Sequence, residues 1–277
     1  MLNNLFKKQA LLPDEAITWL FDGFAWALQN FGSDVFDNET ILVEPSNKCF
    51  PGKGDSIDEM AQLILGHVKK FAGLDYLPCQ IVNHREFNQA PEALANMQQV
   101  MQGLQVGDNT ALTLLYEPQQ VSNPNAMIAN YAHALAYHLG SLAQSPAPCD
   151  QEQWPHMMEL LAVTMGFGIM FANTAHAKVN VGCGSCNNPA MERQGALDEM
   201  EALYALAIFC VLKEVPSKVV VPHLKRYLRP LLKKMIKDVE QRGDALARLR
   251  AINSRAQFRG KQLGSEPEVS LAGVGPN

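Results

Sequence analysis

The order of the predicted elements most constrains what this chain can fold into, because the short strands all lie in the N-terminal half and helices dominate the C-terminal half. Residues 41–43, 79–82 and 111–116 are short apolar runs, typical of strands. Further helices are predicted to begin near Pro155, Asp198 and Pro222, each at a proline or an acidic cap. Strands followed by helices favour an α+β fold, with a small N-terminal β-sheet and helices packed on a mostly helical C-terminal half.

The N-terminal part contains helix starts of its own. Pro13 opens a predicted helix that runs to about Phe31. Ser56 and Glu59 form an S-x-x-E capping box, which predicts a helix that ends near Ala72. Residues 85–109 are polar and rich in Gln and Asn, and they contain one predicted helix, from 92 to 102.

The length of 277 residues allows one sizeable core, and the pattern predicts a single domain over residues 1–242. Its sheet-containing part covers about 36–120 and its helical part about 123–242. From Gly243 onward helical character fades, and residues 260–277 have no periodic apolar face. Residues 243–277 are therefore predicted to form a flexible C-terminal tail.

The charge distribution limits the class of partner. A formal net charge of −5 argues against a chain that coats nucleic acid, because phosphate binding needs a positive excess. Basic side chains are concentrated near the C-terminus, in residues 225–237 and 248–261. Helical spacing makes these a solvated face, so no nucleic-acid partner is expected, although an interaction module in this region is an alternative.

The sequence predicts a cytoplasmic protein without membrane contact. Asp14 and Glu15 interrupt the apolar stretch that a signal peptide would need. The longest weakly polar run, residues 160–175, is shorter than the roughly twenty residues that span a bilayer. Cysteines in such a compartment stay reduced.

One helix carries a fragment of a metal-binding pattern. Residues 131–140 read Y-A-H-A-L-A-Y-H-L-G, after a helix start at Asn123 and Pro124. In the pattern H-E-x-x-H, two histidines one turn apart bind zinc, and the glutamate activates the bound water. His133 stands at the first histidine position, whereas Ala134 replaces the glutamate and Tyr137 the second histidine.

Three further stretches accompany this helix in a recognisable order. They read I-L-V-E-P-S-N-K-C-F-P-G-K-G-D-S-I-D-E-M-A-Q-L-I, then L-L-A-V-T-M-G-F-G-I-M-F-A-N-T-A directly after Glu159, then G-A-L-D-E-M-E-A-L-Y-A-L-A-I-F-C-V-L-K-E. Over about residues 41–240 the chain resembles uncharacterised bacterial proteins with a minimal zincin-like core, of the gluzincin type of metallopeptidase. The resemblance implies a zincin-like fold, with His133 as first zinc ligand and Glu159 as third.

The departures from that pattern favour a protein without catalysis. Ala134 cannot act as a general base, and the phenol of Tyr137, with a pKa of about 10, is a poor zinc ligand. We therefore expect a degenerate relative of zincin peptidases: a pseudoenzyme that binds or regulates an unknown protein or peptide partner. Its expected cofactor is none, or weakly bound zinc.

A substitute ligand would give a different function. His156 and Glu159 form an H-x-x-E pair one turn apart, so both could face His133 and complete a set of two histidines and a carboxylate. The alternative function is then a metal-dependent hydrolase or peptidase that uses His133, Glu159 and His156. In the simpler interpretation, His156 only caps or solvates the start of its helix.

Two further sequence features are weaker indications of a functional site. Cys183 and Cys186 form a C-x-x-C in a loop between helices, which is half of a zinc knuckle or a thiol pair. His138 lies five positions after His133, about 140° around the helix, so it is predicted to be structural.

Overall fold

The computed structural model describes residues 11–84, 111–175 and 193–252. Helices in these ranges are α1 (Asp14–Phe31), α2 (Ser33–Asn38), α3 (Ile57–Phe71), α4 (Pro124–Ser141), α5 (Trp154–Ala162), α6 (Gly168–Thr174), α7 (Glu199–Leu212), α8 (Ser217–Val220), α9 (Leu228–Gln241) and α10 (243–252). Shorter helical segments are the 3-10 turns Pro118–Ser122 and Val221–His223 and the π-helical turn Val163–Phe167. The strands are β1 (Cys79–Asn83) and β2 (Leu112–Tyr116). The prediction of an α+β fold with a small sheet and a mostly helical second half is confirmed.

The described sheet consists of β1 and β2, which pair in parallel with Cys79 opposite Leu112 and Asn83 opposite Tyr116. Both strands lie where the sequence predicts them. Parallel strands need a long connection, and the helix predicted at 92–102 falls in that connection, outside the described residues. At the end of β2 the Tyr116 hydroxyl donates to the carboxylate of Asp58 on α3.

The strand predicted at residues 41–43 is wrong. This segment is extended chain without a strand partner among the described residues, although Val43 is fully buried. The Val43 amide donates to the carbonyl of Gly166, at 3.0 Å, in the π-helical turn between α5 and α6. Val43 thus directs its amide to a helical turn instead of to a neighbouring strand, and its side chain is buried in the core.

Side-chain caps mark the start of three of the described helices. Ser56 accepts from the amide of Glu59 at the start of α3, and the Asn123 side chain accepts from Ala126 at the start of α4. Asp198 and Glu201 form a complete capping box at the start of α7. These caps explain why the helices begin where the sequence signals stand.

The basic helix α9 begins later than predicted. Pro222 belongs to a 3-10 turn, and Leu224 is extended, with φ −92° and ψ 151°, so the chain leaves helical geometry before α9 starts at Leu228. The predicted tail also needs correction at its start. Residues 243–252 form α10, in which Leu246 and Leu249 are buried, so apolar packing continues past Gly243.

The longest apolar stretch is Trp154–Thr174, which combines α5, the π-helical turn and α6. Its 21 residues are long and apolar enough to cross a bilayer, but 89% of its most apolar window is buried inside the protein. Its surface is therefore already used for packing against α4 and α7. One hydrophobic core is formed by buried side chains from α1, α3, β2, α4–α7, α9 and α10.

Candidate functional site

Helix α4 presents His133 and Tyr137 on one face, one turn apart. Their rings meet edge to face, with centroids 5.0 Å apart. The Nε2 atom of His133 lies 3.3 Å from the carbonyl oxygen of Pro155 in the first turn of α5. Because a carbonyl only accepts hydrogen bonds, Nε2 carries the ring proton in this contact. That nitrogen, one of the two that could bind a metal, is committed to the backbone.

Glu159 is fully buried on α5, and its carboxylate is held from several sides. The Arg193 guanidinium donates to Oε1 through Nη1. The amide of Ala196 also donates to Oε1, at 2.8 Å, and the amide of Leu197 donates to Oε2, at 2.9 Å. Glu159 therefore fixes residues 193–197, which lead directly into α7.

Arg193 is the cation of this cluster, and its side chain is only 1% exposed. Its Nε donates to the Thr174 hydroxyl at 3.2 Å, and its Cζ stands 4.5 Å from the centre of the Phe171 ring. The His133 ring lies edge-on to the same Phe171 ring, with centroids 6.5 Å apart. The second terminal nitrogen, Nη2, has no hydrogen-bond partner among the described residues. We call His133, Tyr137, Glu159, Phe171 and Arg193 the buried cluster.

The electrostatics of the buried cluster follow from its burial and its one ion pair. Burial alone would raise the pKa of Glu159, but the hydrogen bond and charge of Arg193 outweigh it and hold that pKa below its ordinary value. Burial lowers the pKa of His133 to about 4; the charge of Glu159 opposes this shift, and the charge of Arg193 acts in the same direction as burial. Burial and the charge of Glu159 raise the pKa of Tyr137. At neutral pH the cluster holds a carboxylate, a guanidinium, a neutral imidazole and a neutral phenol.

These residues do not fit a zinc ion. A zinc site of the zincin kind needs three protein donors around the metal. The Glu159 oxygens are occupied by Arg193, Ala196 and Leu197, and the phenol of Tyr137 stays protonated. Within residues 11–84, 111–175 and 193–252, no group of three or more His, Cys, Asp or Glu side chains is arranged to hold a metal ion.

Within the described residues, no hydrogen bond or ring contact joins His156 or His138 to the buried cluster. His156 is partly buried in the first turn of α5, and its Nδ1 has no hydrogen-bond partner in the described part of the chain. His138 is buried within α4, and burial lowers its pKa. Cys183 and Cys186 lie outside the described residues.

The sequence interpretation missed Arg193. It follows no motif and stands 34 positions from Glu159. One signal was present. Between Lys70 and Lys213 the chain has few lysines or arginines: Arg85, Lys178 and Arg193. A glutamate in an apolar helix needs a cation or several donors, so the scarcity of cations in this part of the chain could have indicated its partner.

A cleft near the start of α4 is separate from the buried cluster. Its volume is about 610 Å³. It is lined by residues of the loop 45–53, by α3 and by the first turns of α4, including Phe50, Leu63 and Ile128. His133 does not line it, so a molecule bound there would not meet the imidazole.

Comparisons of the chain with protein-family models, with curated proteins and with solved structures give no match.

Proposed function

We propose that the protein is a non-catalytic binding protein on a zincin-like scaffold, in which the Arg193 guanidinium takes the position of a metal cation. One observation carries the proposal: the carboxylate of Glu159, the expected third zinc ligand, accepts hydrogen bonds from Arg193, Ala196 and Leu197. A carboxylate saturated in this way contributes to folding rather than to metal binding. Its partner on the binding surface is expected to be a protein or peptide.

The chemistry of the buried cluster supports this role. A zinc peptidase needs a general base and a metal-bound water. Ala134 offers no base, and the Nε2 proton of His133 is donated to Pro155. With a pKa of about 4, His133 is neutral at pH 7, but its Nδ1 is the only basic atom it could offer.

The metal-dependent hydrolase would require Glu159 to exchange Arg193 for a metal. That exchange would leave a guanidinium unpaired in an interior where its side chain is 1% exposed. Leaving a buried charge without its partner costs about 3 to 5 kcal/mol. The ion pair therefore opposes metal entry, and it supports the non-catalytic role over the hydrolase.

Metal analysis of the purified full chain tests the proposal. We expect far less than one zinc per chain in the native protein, and no cleavage of an unfolded protein substrate when zinc is added. The double variant Ala134→Glu, Tyr137→His should bind little more zinc than the native protein, because Arg193 still holds Glu159. Adding Arg193→Ala to that pair should release Glu159 and raise zinc binding by orders of magnitude.

Two controls make the result decisive. The single variant Arg193→Ala lacks the rebuilt ligands and should stay free of zinc, which separates a true site from general loosening of the fold. Roughly one tightly held zinc per native chain, lost in both His133→Ala and Glu159→Ala, would overturn the proposal.

A further inference from the structure

A continuous basic segment stands out against the acidic chain. Residues 215–237 contain no Asp or Glu. Their cations are Lys218, Lys225, Arg226, Arg229, Lys233, Lys234 and Lys237. The whole chain has a net charge of −5, so this excess of positive charge is local. We call these seven side chains the basic surface.

The fold places the basic surface outside. Helix α9 buries Leu228, Leu232, Met235 and Val239 and packs on α7. Lys233, Lys234 and Lys237 are exposed on the rest of that helix. Lys218 is exposed on α8, and Lys225 and Arg226 are exposed in the turn before α9. The apolar face of α9 is thus fully used, whereas its charged face meets solvent.

The cations of the basic surface have no acidic partner within the described residues. Arg229 donates to the carbonyls of Leu224 and Pro222, at 3.0 and 3.2 Å, and so stabilises the turn that precedes α9. Within the basic segment, the hydroxyl of the half-exposed Tyr227 donates to the carboxylate of Glu199. The positive charge is therefore available to an external partner.

The spacing of the cations on α9 defines the shape of that partner. Arg229, Lys233 and Lys237 follow each other at four-residue intervals, so they form one stripe along the helix. With a rise of about 1.5 Å per residue, the stripe is about 12 Å long. Carboxylates at the same four-residue interval on a facing helical segment would stand opposite these cations one by one.

The surroundings favour a short acidic segment over an extended polyanion. Asp238 and Glu240 follow the stripe directly on α9. A nucleic acid or an anionic membrane spreads its charge over a wide area and would also meet these acids. Because α9 packs Leu228, Leu232, Met235 and Val239 into the core, its main apolar face is not free to insert into a bilayer.

From this geometry we infer that the basic surface binds an acidic, helix-forming segment of a protein partner. The inference names the partner class for the binding role proposed above and rests on that role. It involves none of the residues of the buried cluster. Metal content therefore tests the role, and binding to the basic surface tests the partner, so the two can fail separately.

The probe is a labelled, alanine-based peptide of about 15 residues with Glu at every fourth position, long enough to form a helix. Fluorescence anisotropy with the full chain at about 50 mM salt should show binding that weakens steeply as added salt shortens the Debye length. Lys233→Glu with Lys237→Glu should weaken binding by roughly tenfold or more. Lys69→Glu with Lys70→Glu on α3 changes the net charge equally, and it should alter binding by less than about twofold.

Each other result overturns the inference. Equal losses in both lysine pairs would mean that only net charge matters. No binding of the peptide at low salt would mean that no acidic segment is recognised. Tighter binding of a single-stranded oligonucleotide, or of vesicles rich in phosphatidylserine, would assign the basic surface to nucleic acid or to a membrane instead.

Discussion

The buried cluster and the basic surface use positive charge in opposite ways. In the cluster one arginine, 1% exposed, is held by a carboxylate, a hydroxyl and an aromatic ring. On the basic surface a run of lysines and arginines points to solvent without a described acidic partner. Removing one partner of a buried pair leaves an uncompensated charge, whereas water screens an exposed charge. The fold therefore depends on the buried cation Arg193, whereas the proposed recognition of a partner depends on the exposed cations.

The largest expected effect comes from breaking the buried pair. Arg193→Met should destabilise the protein by about 3 to 5 kcal/mol, because Glu159 keeps its charge in the interior without its cation. Urea unfolding at pH 7 measures this loss. Glu159→Gln combined with Arg193→Met should be less destabilised than Arg193→Met alone, because the remaining amide is neutral. A double variant as unstable as the two single losses added together would mean that the pair is not coupled.

At acidic pH, protonation of His133 should destabilise the folded protein. Its pKa is about 4 in the folded protein and near its ordinary value of 6.5 when unfolded, so the unfolded chain binds the proton first. Stability from this group is present above pH 6.5 and is lost as the pH falls to about 4, by up to about 3 kcal/mol. Glu159, whose pKa is lowered by Arg193, adds a further loss at lower pH, below its ordinary 4.5.

His133→Gln isolates that contribution. The amide side chain can still donate to the carbonyl of Pro155 but does not titrate, so urea midpoints between pH 4 and 6.5 should vary less than in the native protein. An unchanged pH dependence would show that groups other than the buried imidazole of His133 determine how stability changes with acid.

The basic surface should give the smallest effect on stability. Lys233→Ala with Lys237→Ala removes two exposed cations without touching the buried face of α9, so the free energy of unfolding should change by less than about 0.5 kcal/mol. Thermal or urea unfolding measures the change. A loss comparable to that of Arg193→Met would remove the contrast between the two regions.

The sequence predicts those parts of the fold that depend on neighbouring residues. The caps at Ser56, Asn123 and Asp198 act within three positions, and β1, β2 and the helix that carries His133 all lie at their predicted places. The α+β class follows from the order of these elements. The buried leucines of α10 were missed because the chain there lacks a strong start signal, although Leu246 and Leu249 complete the core.

The site was less predictable, because its contacts are distant in sequence. The pattern around His133 identifies one face of α4, and Tyr137 lies on that face as expected. The partner of Glu159 is 34 positions away, and the hydrogen-bond acceptor of the His133 ring is a backbone carbonyl 22 positions away. Residue type does not reveal which carbonyl His133 contacts, and it narrows the partner of Glu159 only to the few cations in that part of the chain.

The contact between residues 41–43 and Gly166 limits where the chain could be divided into stable fragments. Gly166 has φ of 101°, and the Ile41 carbonyl lies where a Cβ at residue 166 would stand. A fragment that starts after residue 44 would leave the Gly166 carbonyl without the Val43 amide in a closed interior. Loss of this hydrogen bond should therefore make the helical part less stable alone than within the whole chain. Two fragments divided between residues 85 and 110 would have to associate before either could complete its core.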